Sequence, residues 1–161
     1  MIANVMVRPE PAVFAAFVRD AEPRLLHALM ASCGPVEGRA ATVDALSWAW
    51  EHWDRLDQTS NKLAYLYRVG QTAARRNGSR AKPGGREAAN EQRLPDVEPA
   101  LLPALAKLSE QQRTTVLLVH AFGWSQTDVA QLLHVNVSTV REHLARGLIR
   151  LRTTLGVNDA C

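Results

Sequence analysis

Residues 108–155 read LSEQQRTTVLLVHAFGWSQTDVAQLLHVNVSTVREHLARGLIRLRTTL, and this stretch decides the fold. Three helices are expected in it, the last two forming a helix-turn-helix. Ser109 followed by Gln112 is a capping box that starts the first. Val116 to Val119 and Phe122 give that helix an apolar face, and Gly123 ends it. Ser125 with Asp128 makes a second box, so a new helix follows with Val129, Leu132 and Leu133 inward. Ala130 is small enough to let a partner helix cross closely. After the turn His134-Val135-Asn136, Asn136 is placed to cap a third helix. Its stripe runs Val137, Val140, Leu144, Leu148, Leu151 and Leu155, in steps of three and four.

The opposite face of that third helix opens with Ser138, Thr139, Arg141, Glu142, His143 and Arg146, and continues with Arg150 and Arg152. Short hydroxyls and guanidinium groups at the start of a second helix suit phosphates and base edges in a major groove. The competing reading is a plain three-helix bundle with a solvated face. The density of arginine, opposed only by Glu142, favours DNA.

The whole chain has 161 residues, room for one domain or two small ones, and 47% of them are hydrophobic. It holds no apolar run of 18 or more residues, so no membrane span is expected. The start, MIANVMVRPEP, lacks the basic end and long apolar stretch of a signal peptide. Cys33 and Cys161 are too few for a disulfide framework or a four-thiolate zinc site. A reducing cytoplasm is therefore expected. Net charge is +3 and the isoelectric point about 9.2. Distribution says more: seven Lys/Arg fall between Arg68 and Arg93, against Glu87 and Glu91.

In the first half, residues 1–8 are expected to be loose. Helical patterning begins at Pro9–Pro11 with Val13, Phe14, Phe17 and Val18 inward, and Pro23 is expected to split a helix ending near Ala21 from another over 23–31. Gly34-Pro35 reads as a turn. A helix over 42–56 follows, with Leu46, Ala49, Trp50, Trp53 and Leu56 on one face. Trp48 lies off that stripe, so it either meets a partner or packs on a neighbouring helix. Polar residues 57–61 lead into a helix over 62–76 that buries Leu63, Leu66, Val69 and Ala73. Tyr65, Tyr67, Arg68, Gln71, Arg75 and Arg76 line its remainder. Rings beside arginines suit single-stranded DNA, because bases stack on rings while guanidinium groups follow phosphates. The alternative is that one tyrosine is core and the arginines are solvated.

Between the halves, NGSRAKPGGREAANEQRLPDVEP is rich in glycine, proline and charge without apolar periodicity, and reads as a flexible basic linker. A short helix with Leu101, Leu105 and Leu108 follows. The fold class is thus all-α. Two small helical domains (9–77 and 99–157) are joined by a linker (78–98), the second a helix-turn-helix. No P-loop, dinucleotide turn or metal-spaced histidine pair occurs, and nothing orients His27 and Cys33 as a nucleophile pair. No enzymatic activity, metal or cofactor is expected.

The 108–152 stretch resembles the promoter-reading C-terminal domain of bacterial RNA polymerase sigma factors, most of all the small two-domain extracytoplasmic-function type. Leucine-serine opens it, an alanine sits in the first helix of the pair, and Thr139-Val140 opens the reader. His134 stands where the family usually has glycine, and Asn136 where it has serine. Pro23-Arg24-Leu25-Leu26, TVDALSWAWEHWDRL and LAYLYRVGQTAARR are similar to the family's N-terminal domain. The resemblance implies a non-enzymatic, cytoplasmic factor that binds core RNA polymerase and promoter DNA. It implies that Asp44, Ser47, Trp48 and Glu51 contact the polymerase clamp, with Ser47 standing where family members often carry glutamine. It implies that Asn61, Tyr65, Arg68, Gln71, Arg75 and Arg76 meet the melted −10 strand. Ser138, Thr139, Arg141, Glu142, His143 and Arg146 would read the −35 element. Small sigma factors commonly have an anti-sigma partner, so the resemblance leaves one open here without implying its identity. The different-class alternatives are a stand-alone helix-turn-helix regulator and a pure interaction module. The regulator would be a dimer matching palindromic half-sites, but the chain offers no long zipper-like seam, and a monomer is expected.

Overall fold

The computed structural model describes residues 8–80 and 99–157. The start before Arg8, most of the expected linker (81–98) and Cys161 lie outside the described residues. The chain divides into two units, Met1–Arg80 and Ala81–Cys161. All regular structure among the described residues is helical, as the periodicities require: α1 Pro11–Cys33, α2 Pro35–Glu51, α3 Trp53–Asp57 and α4 Lys62–Arg80 in the first unit; α5 Leu101–Ala106, α6 Glu110–Val116, α7 Gln126–Leu133 and α8 Val137–Leu155 in the second.

In the first unit α1, α2 and α4 pack on one another. Leu25 and Leu29 of α1 and Leu66 of α4 are fully buried, each worth roughly 1.5–3 kcal/mol. They reach a seam of small residues on α2: Gly38, Ala41, Thr42, Ala45 and Ala49, all buried. The crossing is too close for larger groups. A Cβ on Gly38 would lie 2.6 Å from the Met30 backbone, and one on Gly70 2.5 Å from Leu29 Cδ1. Thr42 is tolerated there because its hydroxyl donates to Gly38 O at 2.8 Å.

Four of the expectations for this unit's helices are corrected. Pro23 does not split the helix: α1 runs unbroken with Pro23 inside it. Pro23 costs the bond to the Arg19 carbonyl, but both residues are exposed, so water can take that carbonyl. Ending the helix there would instead pull Ala21, Leu25, Ala28 and Leu29 off one buried face. Gly34-Pro35 is the turn expected there, a tight corner between α1 and α2. Gly34 has φ +92°, a value glycine tolerates, and Pro35 is the first residue of α2, where its missing N–H costs nothing. The helix expected from Thr42 therefore starts seven residues earlier. It also breaks at His52 (φ −124°, ψ 36°), leaving α3 separate. Lastly, α4 continues to Arg80, so residues 78–80 belong to a helix and not to the linker.

In the second unit α8 is the long helix on which α5, α6 and α7 pack. Leu118, Val129 and Val140 are fully buried, joined by Leu105, Leu108, Trp124, Leu144 and Leu151. Gly147 sets the α6–α8 approach: a Cβ there would sit 2.8 Å from Val116 Cγ2. The Ser109–Gln112 capping box is formed in both directions. The helix it starts does not stay α to Gly123, however. Leu117–Ala121 form a π-helical turn, with Phe122 N–H donating to Leu117 O and Trp124 N–H to Leu118 O. The wider turn takes in one more residue and sets Trp124 into the core. Thr114 and Thr115 are buried beside it, and neither hydroxyl has a hydrogen-bond partner among the described residues.

Candidate nucleic-acid interface

The helix-turn-helix is built from α7 and α8. Ser125 Oγ accepts from Asp128 N–H at 3.0 Å and starts α7. The helix ends at His134, which takes the left-handed conformation (φ 53°, ψ 45°), and the Ala130 carbonyl is capped by Val135 N–H at 3.1 Å. Most residues pay for a positive φ; a histidine here does what glycine or asparagine does at many helix ends. Asn136 is extended and stands at the N-cap of α8, but its side chain makes no capping hydrogen bond. Its carbonyl instead receives Thr139 and Val140 N–H at 3.0 and 3.2 Å. The position was legible and the side-chain role was not.

Burial on α8 follows the stripe. Val140, Leu144 and Leu151 are buried, while Val137, Leu148 and Leu155 are half-buried. Ser138, Arg141, Glu142 and Arg146 are exposed; Thr139 and His143 are half-buried on the flank. Two side-chain bonds order this face. Arg141 Nε donates to Gln126 Oε1 at 3.2 Å, tying the reader to the first residue of α7. Arg146 pairs with Glu142 one turn back. Both partners are exposed, so the pair adds at most about 0.5 kcal/mol to stability. Gln126 is the residue that sequence reasoning missed: fifteen positions separate it from Arg141, and no local pattern signals a contact at that range.

In the first unit, α4 gathers Tyr65, Arg68, Arg75 and Arg76 on its outer face at helical spacing, the arginines exposed and Tyr65 half-buried. Tyr67, expected to line that same face, is 3% exposed and belongs to the core. Gln71 stands on the flank, its Nε2 donating to Tyr67 Oη at 3.0 Å. Asn61 caps α4 by accepting from Ala64 N–H at 3.0 Å, so this candidate strand contact already has a structural duty. On α2, Asp44, Ser47 and Glu51 are exposed on one face, and Asp44 Oδ2 receives the Asn77 amide at 3.2 Å. Trp48 is half-buried at the edge of that face. Its ring stacks on His52 (4.6 Å between centroids, 9° between planes) and lies 5.3 Å from Tyr65.

Residues 100–151 match the family model of sigma-70 region 4, a span that covers α5 to most of α8. This part of the chain is similar to region 4 of the sigma-70 factors. The matched span includes the whole helix-turn-helix and each candidate residue from Ser138 to Arg146. No match was found among curated protein sequences. Two solved structures share the fold. One is the sigma factor RpoE of Bartonella quintana, in complex with the anti-sigma factor NepR: 22% identity, 91% of this chain and 98% of that chain covered, TM-score 0.61. The other is CnrH in complex with the cytosolic domain of CnrY: 20% identity, 93% and 92% covered, TM-score 0.63. No described helix of the chain is long and apolar enough to cross a membrane.

Proposed function

We infer that the chain is a cytoplasmic, two-domain sigma factor of the extracytoplasmic-function type, which binds core RNA polymerase and directs it to promoters. The observation that carries this reading is the α7–α8 reader, polar and basic on its outer face, inside the sigma-70 region 4 match. In the proposed mechanism the polymerase clamp meets the exposed α2 face of Asp44, Ser47 and Glu51. Bound in that way, the first domain holds the melted −10 strand along α4: Tyr65 offers a ring to an unpaired base, and Arg68, Arg75 and Arg76 follow phosphates. The second domain sets α8 in the major groove at −35, with Ser138 and Thr139 on phosphates and Arg141, His143 and Arg146 toward base edges. The linker lets the two domains reach their two elements. The factor carries no chemistry of its own; the polymerase supplies it. Alone it binds DNA weakly. The RpoE match is a complex with an anti-sigma factor, and an anti-sigma protein is proposed as a partner here too.

The test is reconstitution. The full chain is mixed with core RNA polymerase and challenged with a random DNA library, and templates that yield specific transcripts are recovered. A recurring two-part promoter, transcribed only when the chain is present, is the expected result. A chain that runs as a dimer, fails to co-elute with polymerase and yields no transcript would overturn the reading.

A further inference from the structure

The sequence resemblance groups Trp48 with the polymerase contacts, yet its surroundings differ from those of its companions. Asp44, Ser47 and Glu51 are exposed, whereas Trp48 sits one step around α2 toward α4 and is half-buried. One ring neighbour is His52, lying almost parallel to it at 4.6 Å. His52 is itself held, because its Nδ1 lies 3.0 Å from Trp48 O at the end of α2. The other neighbour is Tyr65, 5.3 Å away and tilted by 33°. Tyr65 is half-buried on the same face of α4 as the exposed Arg68, Arg75 and Arg76. His52, Trp48 and Tyr65 therefore form a run of ring contacts that begins at the α2–α3 break and ends on the basic face of α4. Without Trp48, Tyr65 would lose the ring contact that links it to α2, and its χ1 wells would be free to exchange.

We propose that Trp48 is a positioning residue: it fixes the Tyr65 ring for an unpaired base, with His52 bracing Trp48 from behind, and it is not a clamp contact. The proposal rests on the reading of α4 as the strand-holding face. A sulfur or a small aliphatic group at position 48 would leave Asp44, Ser47 and Glu51 where they are, and would still leave Tyr65 unplaced.

The experiment uses holoenzyme and a promoter recovered by the selection above. Two quantities are read for each variant: affinity for core polymerase, and strand opening from permanganate reactivity of thymines around −10. Trp48→Leu should leave polymerase affinity within about twofold and lower the opened fraction about tenfold, the size expected for one lost stacking contact. Trp48→Phe should restore most of it, and His52→Ala should give a smaller loss. Tyr65→Leu should match Trp48→Leu, with the double variant no worse than either single one. A melting temperature for each variant separates these losses from unfolding. If Trp48→Leu weakens polymerase binding as much as opening, Trp48 is a clamp contact and the proposal fails. Additive losses for the double variant overturn it as well, while leaving the strand reading of α4 intact. A silent Tyr65→Leu removes that strand reading itself, and the positioning role with it.

Discussion

Two arginine-bearing helix faces, on α4 and on α8, differ in what stands beside the guanidinium groups. On α4, Arg68, Arg75 and Arg76 share their face with the half-buried Tyr65 ring, and no carboxylate lies among them. On α8, Arg141 and Arg146 share theirs with Ser138, Thr139 and Glu142, and each arginine is already held by a neighbour. A ring beside cations that have no acidic partner among the described residues suits a flexible single strand, which supplies bases to stack and phosphates at variable positions. Cations fixed by side-chain bonds suit a duplex, whose donors and acceptors stand at set places in the groove. The two faces also stand on different crossings. Gly70 lets Leu29 and α2 approach α4, and Gly147 lets α6 approach α8.

The largest effects should come from breaking those crossings. Gly70→Leu and Gly147→Leu each put a side chain where a Cβ alone meets an atom at 2.5 or 2.8 Å. Each should cost about 3 kcal/mol or more of stability. Hydrogen exchange should show protection lost first in the unit that carries the substitution. Loss spread evenly over both units would show that the two do not stand on separate cores.

The next contrast is between reading and holding. Arg141→Ala should cost about 1–3 kcal/mol on the selected promoter and relax preference at one base pair of the upstream element. Gln126→Ala should give part of that loss, and the pair should be non-additive, since the amide only orients the guanidinium. Arg75→Ala with Arg76→Ala should weaken binding alike on all sequences and lower the salt slope by about 0.7 per arginine for a single strand. Measuring both sets across 50–200 mM salt separates base readout from phosphate contact. A sequence-specific loss from the α4 pair would reverse the assignment.

The cores differ as well. Buried hydroxyls in the first unit return to their own helix: Ser32 donates to Leu29 O at 3.4 Å and Thr42 to Gly38 O at 2.8 Å. Thr114 and Thr115 in the second unit are buried with no partner among the described residues. Thr115→Val removes a desolvated hydroxyl at nearly constant shape, so it should stabilise by about 1 kcal/mol. Thr42→Val should destabilise by a similar amount. Melting temperatures of the two variants, moving in opposite directions, would establish the contrast.

Local rules carried most of the fold. The α8 stripe, both serine caps and the bend at His134 follow from spacing within one or two turns, and that was enough to place the helix-turn-helix. What stayed hidden depended on groups distant in sequence. Pro23 is tolerated because its helix has a buried face to keep. Tyr67 is buried because the other side of α4 is turned outward. Trp48 is explained by Tyr65, seventeen positions on, and Arg141 by Gln126. The π-turn before Trp124 has no composition signal, since Leu-Leu-Val-His-Ala fits a regular helix equally well.

The smallest expected effect tests the one acid on the reading face. Glu142→Gln removes an exposed pair with Arg146 and should change stability by less than about 0.5 kcal/mol. Its effect on DNA distinguishes two roles for the carboxylate. If Glu142 only holds Arg146, the amide leaves the arginine free, and affinity should rise slightly and equally on every sequence, because one negative charge near the phosphates is gone. If Glu142 instead accepts from a cytosine amino group when docked, affinity should fall on the selected promoter and the preference at that base pair should vanish. The ion pair in the free protein favours the first outcome. Arg146 would then have to leave Glu142 to reach a base edge, and Arg146→Ala measured in the Glu142→Gln background should cost more than in the wild type.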